Sequence, residues 1–301
     1  METVHKTVLL KETIDSLDLQ KRDIIVDATL NAGGHSLEVL KRMKKDVTII
    51  GLDADSDAFE RAHKTLDPQK GNVVYVETNF RDLKSAVLNT GVKFVNRFIF
   101  DLGLSSDQLE RSGRGFSFMR DEPLLMTFAK HPSKDALTAK DVVNGFSQEN
   151  LAAIIKGFGE EQFSGRIARV IVEAREKKPI ETSRELAEIV KSAVPARFRN
   201  GKIHPATKTF QAIRMAVNAE LETLESALKD AFEILAVGGR ISVITFHSGE
   251  DRVVKKLFKY LKDEGKAKLV VKKPIVPSKE EVKENPRARS AKLRVIEKVR
   301  E

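Results

Sequence analysis

The 301-residue sequence has no cysteine. Disulfides, thiolate metal sites and a thiolate nucleophile are therefore excluded. No apolar run approaches the roughly 18 residues of a membrane-spanning helix, so no membrane partner is expected. The opening stretch METVHKTVLLKET carries charges within its short apolar run and does not read as a secretory signal. A cytoplasmic location is the expectation. The six histidines are scattered without metal-ligand spacing, so no metal is expected. Most of the chain also lacks net charge. Residues 252–301 hold 17 Lys and Arg against 7 Asp and Glu, and the other 251 residues hold 36 against 37. The whole net charge of +9 thus sits in the last sixth of the chain. A basic tail on a neutral body suits a polyanion, although a solvated lysine-rich face reads the same way.

Strand and helix patterns alternate in the first hundred residues. Short apolar runs at 24–26, 47–50, 73–76 and 98–100 are separated by helical spacing at 36–43 and 55–66, the latter capped by Asp55 and ended by Pro68. That rhythm implies an α/β domain with a mainly parallel sheet covered on both faces. Residues 111–123 carry three Gly or Pro and no periodicity, and read as a loop. The chain is then helical from about Thr138 to Val194, with Asp141 and Thr182 as caps. A long amphipathic helix is expected over 210–235, ended by Gly238-Gly239. Strands return at 241–246, 268–272 and 293–299, with a helix over 251–262. The expected organisation is one α/β domain, 1–111 and 209–301, interrupted by an all-helical insertion at 112–208.

The sharpest motif is Val26-Asp27-Ala28-Thr29-Leu30-Asn31-Ala32-Gly33-Gly34-His35-Ser36, joining strand one to a helix. In open parallel sheets ligands bind outside the carboxyl ends of the strands, and Gly33 and Gly34 would let backbone approach one there. Asp53, at the end of strand two, is placed to take the ribose hydroxyls of an adenosine ligand. An ordinary tight turn and a surface Asp would give the same residues. The dinucleotide fingerprint GxGxxG is absent. Without it no pyrophosphate is cradled, which argues for S-adenosylmethionine over a nicotinamide cofactor. Asp27 could attract the cofactor's ammonium or merely brace the turn. Asn79 and Phe80, after strand three, could meet the adenine or only start a helix.

Strand four ends in Phe100-Asp101-Leu102-Gly103. An exocyclic amine on a base is a poor nucleophile because its lone pair is delocalised into the ring. Asp101 could accept the amino hydrogens and aim the nitrogen at the methyl group, which makes it the candidate catalytic residue. The two prolines that often follow such an acid are missing, so contact with the cofactor is the alternative role. Arg111, Arg114, Phe116 and Phe118 interleave cations with aromatics, as do Arg197, Arg199, Lys202 and His204 near Phe198. Such interleaving suits stacking on splayed-out bases and binding phosphate; aromatics tucked into a core are the alternative. His247, after strand five, could touch substrate from the same sheet edge.

Several of these runs coincide with one family. AGGHS at 32–36, DLGLSSDQL at 101–109, RGFSFMRD at 114–121, HPATKTFQAIRMAVNAEL at 204–221, FHSGEDR at 246–252 and NPRARSAKLRV at 285–295 cover nearly the whole chain in order. In these the chain resembles the RsmH (MraW) family of 16S ribosomal RNA cytosine-N4 methyltransferases. The resemblance implies a class I, Rossmann-like methyltransferase domain that methylates N4 of a cytidine in the decoding region. It implies 16S rRNA or the small ribosomal subunit as partner, and cofactor contacts at Gly33, Gly34, His35, Asp53, Phe80, Asp101 and Gln108. It also assigns the helical insertion to RNA recognition. Asn31 stands where the family usually has Gly, a place asking for left-handed backbone that Asn tolerates best among other residues. Leu125, Thr127 and Phe128 depart from the family's PLDMRM, and Gly249 from its FHSLED. The lack of a thiolate argues against carbon-5 methylation of a pyrimidine. A non-catalytic RNA-binding protein with a degenerate nucleotide pocket is the competing expectation. Oligomeric state is not legible.

Overall fold

The computed structural model describes residues 6–201 and 203–301. The chain forms two compact units, one of residues up to Gly103 together with Leu221–Glu301, the other Leu104–Glu220.

The first unit is built on seven strands: β1 Ile24–Asp27, β2 Thr48–Asp53, β3 Asn72–Glu77, β4 Val95–Asp101, β5 Leu235–Thr245, β6 Ala267–Leu269 and β7 Lys292–Lys298. Their order is β3-β2-β1-β4-β5-β7-β6. Pairings from β3 through β5 are parallel, and β7 runs antiparallel to both neighbours. This is the α/β, Rossmann-like architecture expected, with a mainly parallel sheet. Strands buried on both faces read as unbroken apolar runs, and their residues divide by alternation. Val26, Ile50, Phe98 and Val243 face a core closed by α4 (Leu83–Asn89), α11 (Glu220–Glu233) and α12 (Ser248–Asp263). Ile25, Ile49 and Ile99 face one closed by α1 (Leu10–Leu17), α2 (Gly34–Met43) and α3 (Ser56–Leu66). Strand order reverses between β1 and β4, so the carboxyl ends of these two strands open the crevice where such folds bind ligands. Past β6, α13 (Lys279–Glu284) and a 3₁₀ turn, Pro286–Ser290, lead into β7.

The second unit is all helical: α5 Ser106–Arg111, α6 Ala139–Gly145, α7 Gln148–Gly157, α8 Ser164–Arg175, α9 Ser183–Ala193 and α10 Thr207–Val217. Its core joins Val142, Leu151, Ile167, Leu186, Phe210 and Ile213. Because Phe210 and Ile213 belong to this core, α10 belongs to the helical unit. The unit therefore extends beyond the expected 112–208 at both ends. Thr182 caps α9 in a reciprocal box with Glu185, whereas α6 is capped by Thr138, with Asp141 at its third position rather than at the cap. Thr182→Ala is expected to lower stability by about 1 kcal/mol, read as a reduced urea midpoint with an unchanged slope.

Two expected boundaries are corrected. The single helix over 210–235 is two helices, broken at Asn218 and at Ala219, whose φ is +46°. Asn218 Nδ2 donates to the carbonyls of Met126 and Arg214, and Asn218 Oδ1 accepts the Phe128 N–H. This side chain answers backbone groups of a neighbouring loop, a tertiary demand that helical periodicity does not carry. Gly238-Gly239 does not end a helix but lies inside β5, where the register to β4 shifts between Val95 and Arg97 and Gly238 takes φ +80°.

Candidate active site at the carboxyl rim of the sheet

Three carboxylates of the first unit end adjacent strands: Asp27 on β1, Asp53 on β2 and Asp101 on β4. Each is held differently. Asp27 is buried; its Oδ2 accepts the Ser36 hydroxyl at 2.7 Å and its Oδ1 the Thr29 N–H at 3.3 Å. It therefore ties the end of β1 to the first turn of α2. Asp53 Oδ2 accepts the Asn31 N–H at 2.8 Å and Oδ1 the Asp55 N–H at 2.9 Å, so the carboxylate fixes the loops after β1 and β2. Asp101 has its backbone N–H on Thr29 Oγ1 at 2.7 Å, but its side chain is poorly matched. Oδ1 is buried without a hydrogen-bond partner among the described residues, and Oδ2 lies 3.7 Å from Nδ1 of the buried His35. About a fifth of the Asp101 side chain stays open to solvent (21%).

The electrostatics follow. Burial, then the charges of Asp27 and Glu250, push the Asp101 carboxyl up to about 8. Burial raises Asp27 to about 6 against its hydrogen bonds, with Asp53 adding to the rise. Burial also raises Asp53 to about 6, moderated by its two backbone donors and Arg61. The rim is a desolvated, electron-rich crevice short of positive charge. A cation bound there would be favoured, and a pyrophosphate opposed. Asp101 Oδ1 is buried with no donor among the described residues, and three carboxylates at one rim suit a ligand that carries positive charge. No helix among the described residues is long and apolar enough to cross a membrane.

Gly33 sits at the N-cap of α2 with φ +75°. The structure gives both glycines an internal reason as well. A Cβ on Gly33 would lie 3.0 Å from Leu66, and one on Gly34 only 2.0 Å from Thr7 Oγ1. Asn31 takes φ +49°, the left-handed conformation expected of it. Phe80 opens the 3₁₀ turn Phe80–Asp82, half-buried and edge-on to Phe100 at 6.3 Å; the Asn79 side chain caps that turn. Gln108 lies in the helical unit, where its Oε1 accepts the Ser105 N–H in the capping box of α5.

His247 caps α12: Nδ1 accepts the Glu250 N–H at 3.3 Å, and Nε2 lies 3.1 Å from Glu250 Oε1. Glu250 Oε2 accepts the Phe246 and His247 N–H groups, so this buried acid organises the end of β5. Sequence reasoning missed Glu250 and Thr29; the spacing of a cap residue and an acid three positions on was the available signal for Glu250. Gly249 leaves room for the imidazole, since a Cβ there would stand 3.1 Å from His247 Nδ1.

In the helical unit the expected RNA-facing residues divide. Arg114 and Phe116 are corrected: both are buried. Arg114 Nη1 donates to the Thr127 and Phe128 carbonyls, bracing the segment that departs from PLDMRM, and Phe116 stacks on Phe128 within the core. Burial removes both from contact with a base. Arg199 is half-buried and donates to the Ser192 and Val194 carbonyls at the C-terminal end of α9. Arg111 is exposed near Asp107, Phe118 stacks on His204 at 4.4 Å, and Arg197 lies over the exposed Phe198 ring at 4.8 Å. Lys202 lies outside the described residues.

The MraW methylase family matches residues 2–299. A ribosomal RNA small subunit methyltransferase H of Clostridium botulinum (strain Kyoto / Type A2) is 46% identical over 99% of this chain and 100% of its own length. One of the same name from Ruminiclostridium cellulolyticum is 43% identical over the same shares.

Proposed function

Because this chain belongs to the MraW methylase family, we propose that it methylates the N4 amine of a cytidine in the decoding region of 16S ribosomal RNA, with S-adenosylmethionine as methyl donor. The observation that carries this reading is the placement of Asp27, Asp53 and Asp101 at the carboxyl ends of three adjacent parallel strands, with the buried Asp101 Oδ1 without a donor among the described residues. The cofactor is a sulfonium and supplies an electrophilic methyl group. Asp53 would take the ribose hydroxyls, and Phe80 would pack on the adenine. Gly33, Gly34 and His35, at the positive N-terminus of α2, would receive the amino-acid tail through its carboxylate. Asp27 would attract the ammonium while bracing the loop.

Asp101 would act on the substrate. Its unpartnered Oδ1 is the atom available to accept an amino hydrogen of the base, holding the nitrogen lone pair on line with the methyl carbon. A carboxyl of pKa about 8 is also basic enough to retain the proton released as nitrogen gains carbon. Arg111, Phe118, Arg197 and His204 are the RNA-facing residues of the helical unit, whose role would be RNA recognition. Arg199 and His247 would assist through the backbone they hold. The partner is 16S rRNA, naked or within the small subunit, in the cytoplasm.

The test is incubation of the protein with labelled S-adenosylmethionine and unmethylated 16S rRNA or small subunits, then nuclease digestion and mass spectrometry. N4-methylcytidine at one site is the expected product. Label at carbon 5, or no label with either substrate, would overturn the proposal.

A further inference from the structure

We propose that Thr29 is a positioning residue for methyl transfer, fixing the backbone of Asp101 through its hydroxyl and the carboxylate of Asp27 through its N–H. The inference rests on the reading that Asp101 acts on the substrate amine, and adds what holds that acid in place.

An acid that accepts hydrogens from a substrate has to keep its oxygens for the substrate. Asp101 meets this need. Its Oδ1 is buried with no hydrogen-bond partner among the described residues, and its Oδ2 stands 3.7 Å from His35 Nδ1, too far for a hydrogen bond. The carboxylate is therefore aimed by the backbone that carries it. On one side β5 secures that backbone, where the Leu102 N–H donates to the Ile244 carbonyl at 3.1 Å. On the other side lies β1, which ends at Asp27 opposite Ile99. The Ala28 N–H still donates to the Ile99 carbonyl at 2.9 Å, so a regular parallel ladder would next bring the Asp101 N–H to the Ala28 carbonyl. The Asp101 N–H goes to Thr29 Oγ1, at 2.7 Å.

That exchange of acceptor frees the chain to turn. Past Ala28 it swings from β4 toward β2: the Leu30 N–H donates to the Leu52 carbonyl at 2.9 Å, and the Asn31 N–H to Asp53 Oδ2 at 2.8 Å. A side-chain acceptor lets β1 leave the sheet for the Gly33-Gly34 loop with the last N–H of β4 still satisfied. The Thr29 N–H meanwhile donates to Asp27 Oδ1 at 3.3 Å. One residue thus spans the acid assigned to the cofactor's ammonium and the acid assigned to the amine. Threonine suits this place, because its branched Cβ restricts χ1 and with it the position of Oγ1.

The experiment is a double-mutant cycle: single-turnover methylation of 16S rRNA, KM for RNA, S-adenosylhomocysteine affinity and Tm, for wild type, Thr29→Val, Thr29→Ser, Asp101→Asn and Thr29→Val/Asp101→Asn. Thr29→Val keeps the branched shape and the N–H on Asp27 but removes the acceptor. Its rate should fall about 10²-fold, the scale of a misplacement near 1 Å, with cofactor affinity and KM within about twofold of wild type. Thr29→Ser keeps Oγ and should recover the rate to within about threefold. In the Asp101→Asn background the valine change should cost less than about threefold, because its effect passes through a carboxylate already lost. A folded Thr29→Val protein at the wild-type rate would overturn the proposal. So would an equal loss in both backgrounds, or a serine variant as slow as the valine one. Wild-type protein that leaves 16S rRNA unmethylated would instead overturn the rRNA reading, and full turnover by Asp101→Asn the role of Asp101, each taking the proposal with it. Thr29→Ala removes the same acceptor without adding a methyl group, and decides the matter if the valine variant fails to fold.

Discussion

Asp101→Asn should lower turnover by about 10²–10⁴-fold while leaving S-adenosylhomocysteine binding close to wild type. The amide keeps the shape of the side chain and the backbone bond to Thr29 Oγ1. It loses the charge and the basicity, and can offer a donor where an acceptor is needed. The same carboxyl predicts the pH profile. Burial and the nearby Asp27 and Glu250 raise it to about 8, so in the free enzyme it is mostly protonated at neutral pH. The active form is the carboxylate. The value of kcat/KM should therefore climb about tenfold per pH unit and level off above about 8. A bound sulfonium favours the carboxylate, so the limb in kcat should lie at lower pH than the limb in kcat/KM. Single-turnover methyl transfer to 16S rRNA from pH 6 to 9 reads both. Full turnover by the amide variant would remove Asp101 from the chemistry.

Much of the sheet was legible because parallel strands buried on both faces leave apolar runs ended by turn residues, as at Ile24-Ile25-Val26-Asp27. The rim acids were legible for the same reason, since each closes a strand. What stayed hidden depends on tertiary contact. The break at Asn218-Ala219 lies in a sequence of good helix formers, and only the need of the Met126 and Phe128 backbone for partners breaks it there. Arg114 and Phe116 look like an RNA-binding pair by composition. Their burial follows from orphan carbonyls at Thr127 and Phe128 and from a ring-sized place in the core. Gly34 was expected to admit a ligand, yet the closest atom to its missing Cβ is Thr7 Oγ1, 27 residues away in the sequence and in no periodic relation to it. The raised pKa values were equally invisible, because they come from burial and, for Asp101, from Asp27 and Glu250, which the fold brings near it from distant parts of the sequence.

Asp53→Ala is expected to weaken S-adenosylmethionine binding about 100-fold or more, since hydrogen bonds to a charged group contribute roughly 1.5–3 kcal/mol each and two ribose hydroxyls would lose theirs. The loss has a second source. Asp53 also accepts the Asn31 and Asp55 N–H groups, so its removal loosens the loop that carries Gly33 and Gly34. Asp53→Asn separates the two. It keeps one acceptor oxygen but turns an NH₂ toward one of those donors, so its affinity should fall between wild type and the alanine variant. The pH dependence supplies an independent check. Burial lifts the Asp53 carboxyl to about 6, and hydroxyl donors favour the ionised form. The complex should therefore titrate at lower pH than the free protein. Affinity should be flat above about 6 and fall below it, by up to about tenfold per unit for each of the two ligand-binding carboxyls, Asp53 and Asp27, that takes up a proton when the ligand leaves; the Asp53→Ala variant should lose its share of that slope. Calorimetric titration with S-adenosylhomocysteine from pH 5 to 8 measures this, with Tm recorded to confirm that each variant is folded. Unchanged affinity in a folded Asp53→Ala protein would place the ribose elsewhere.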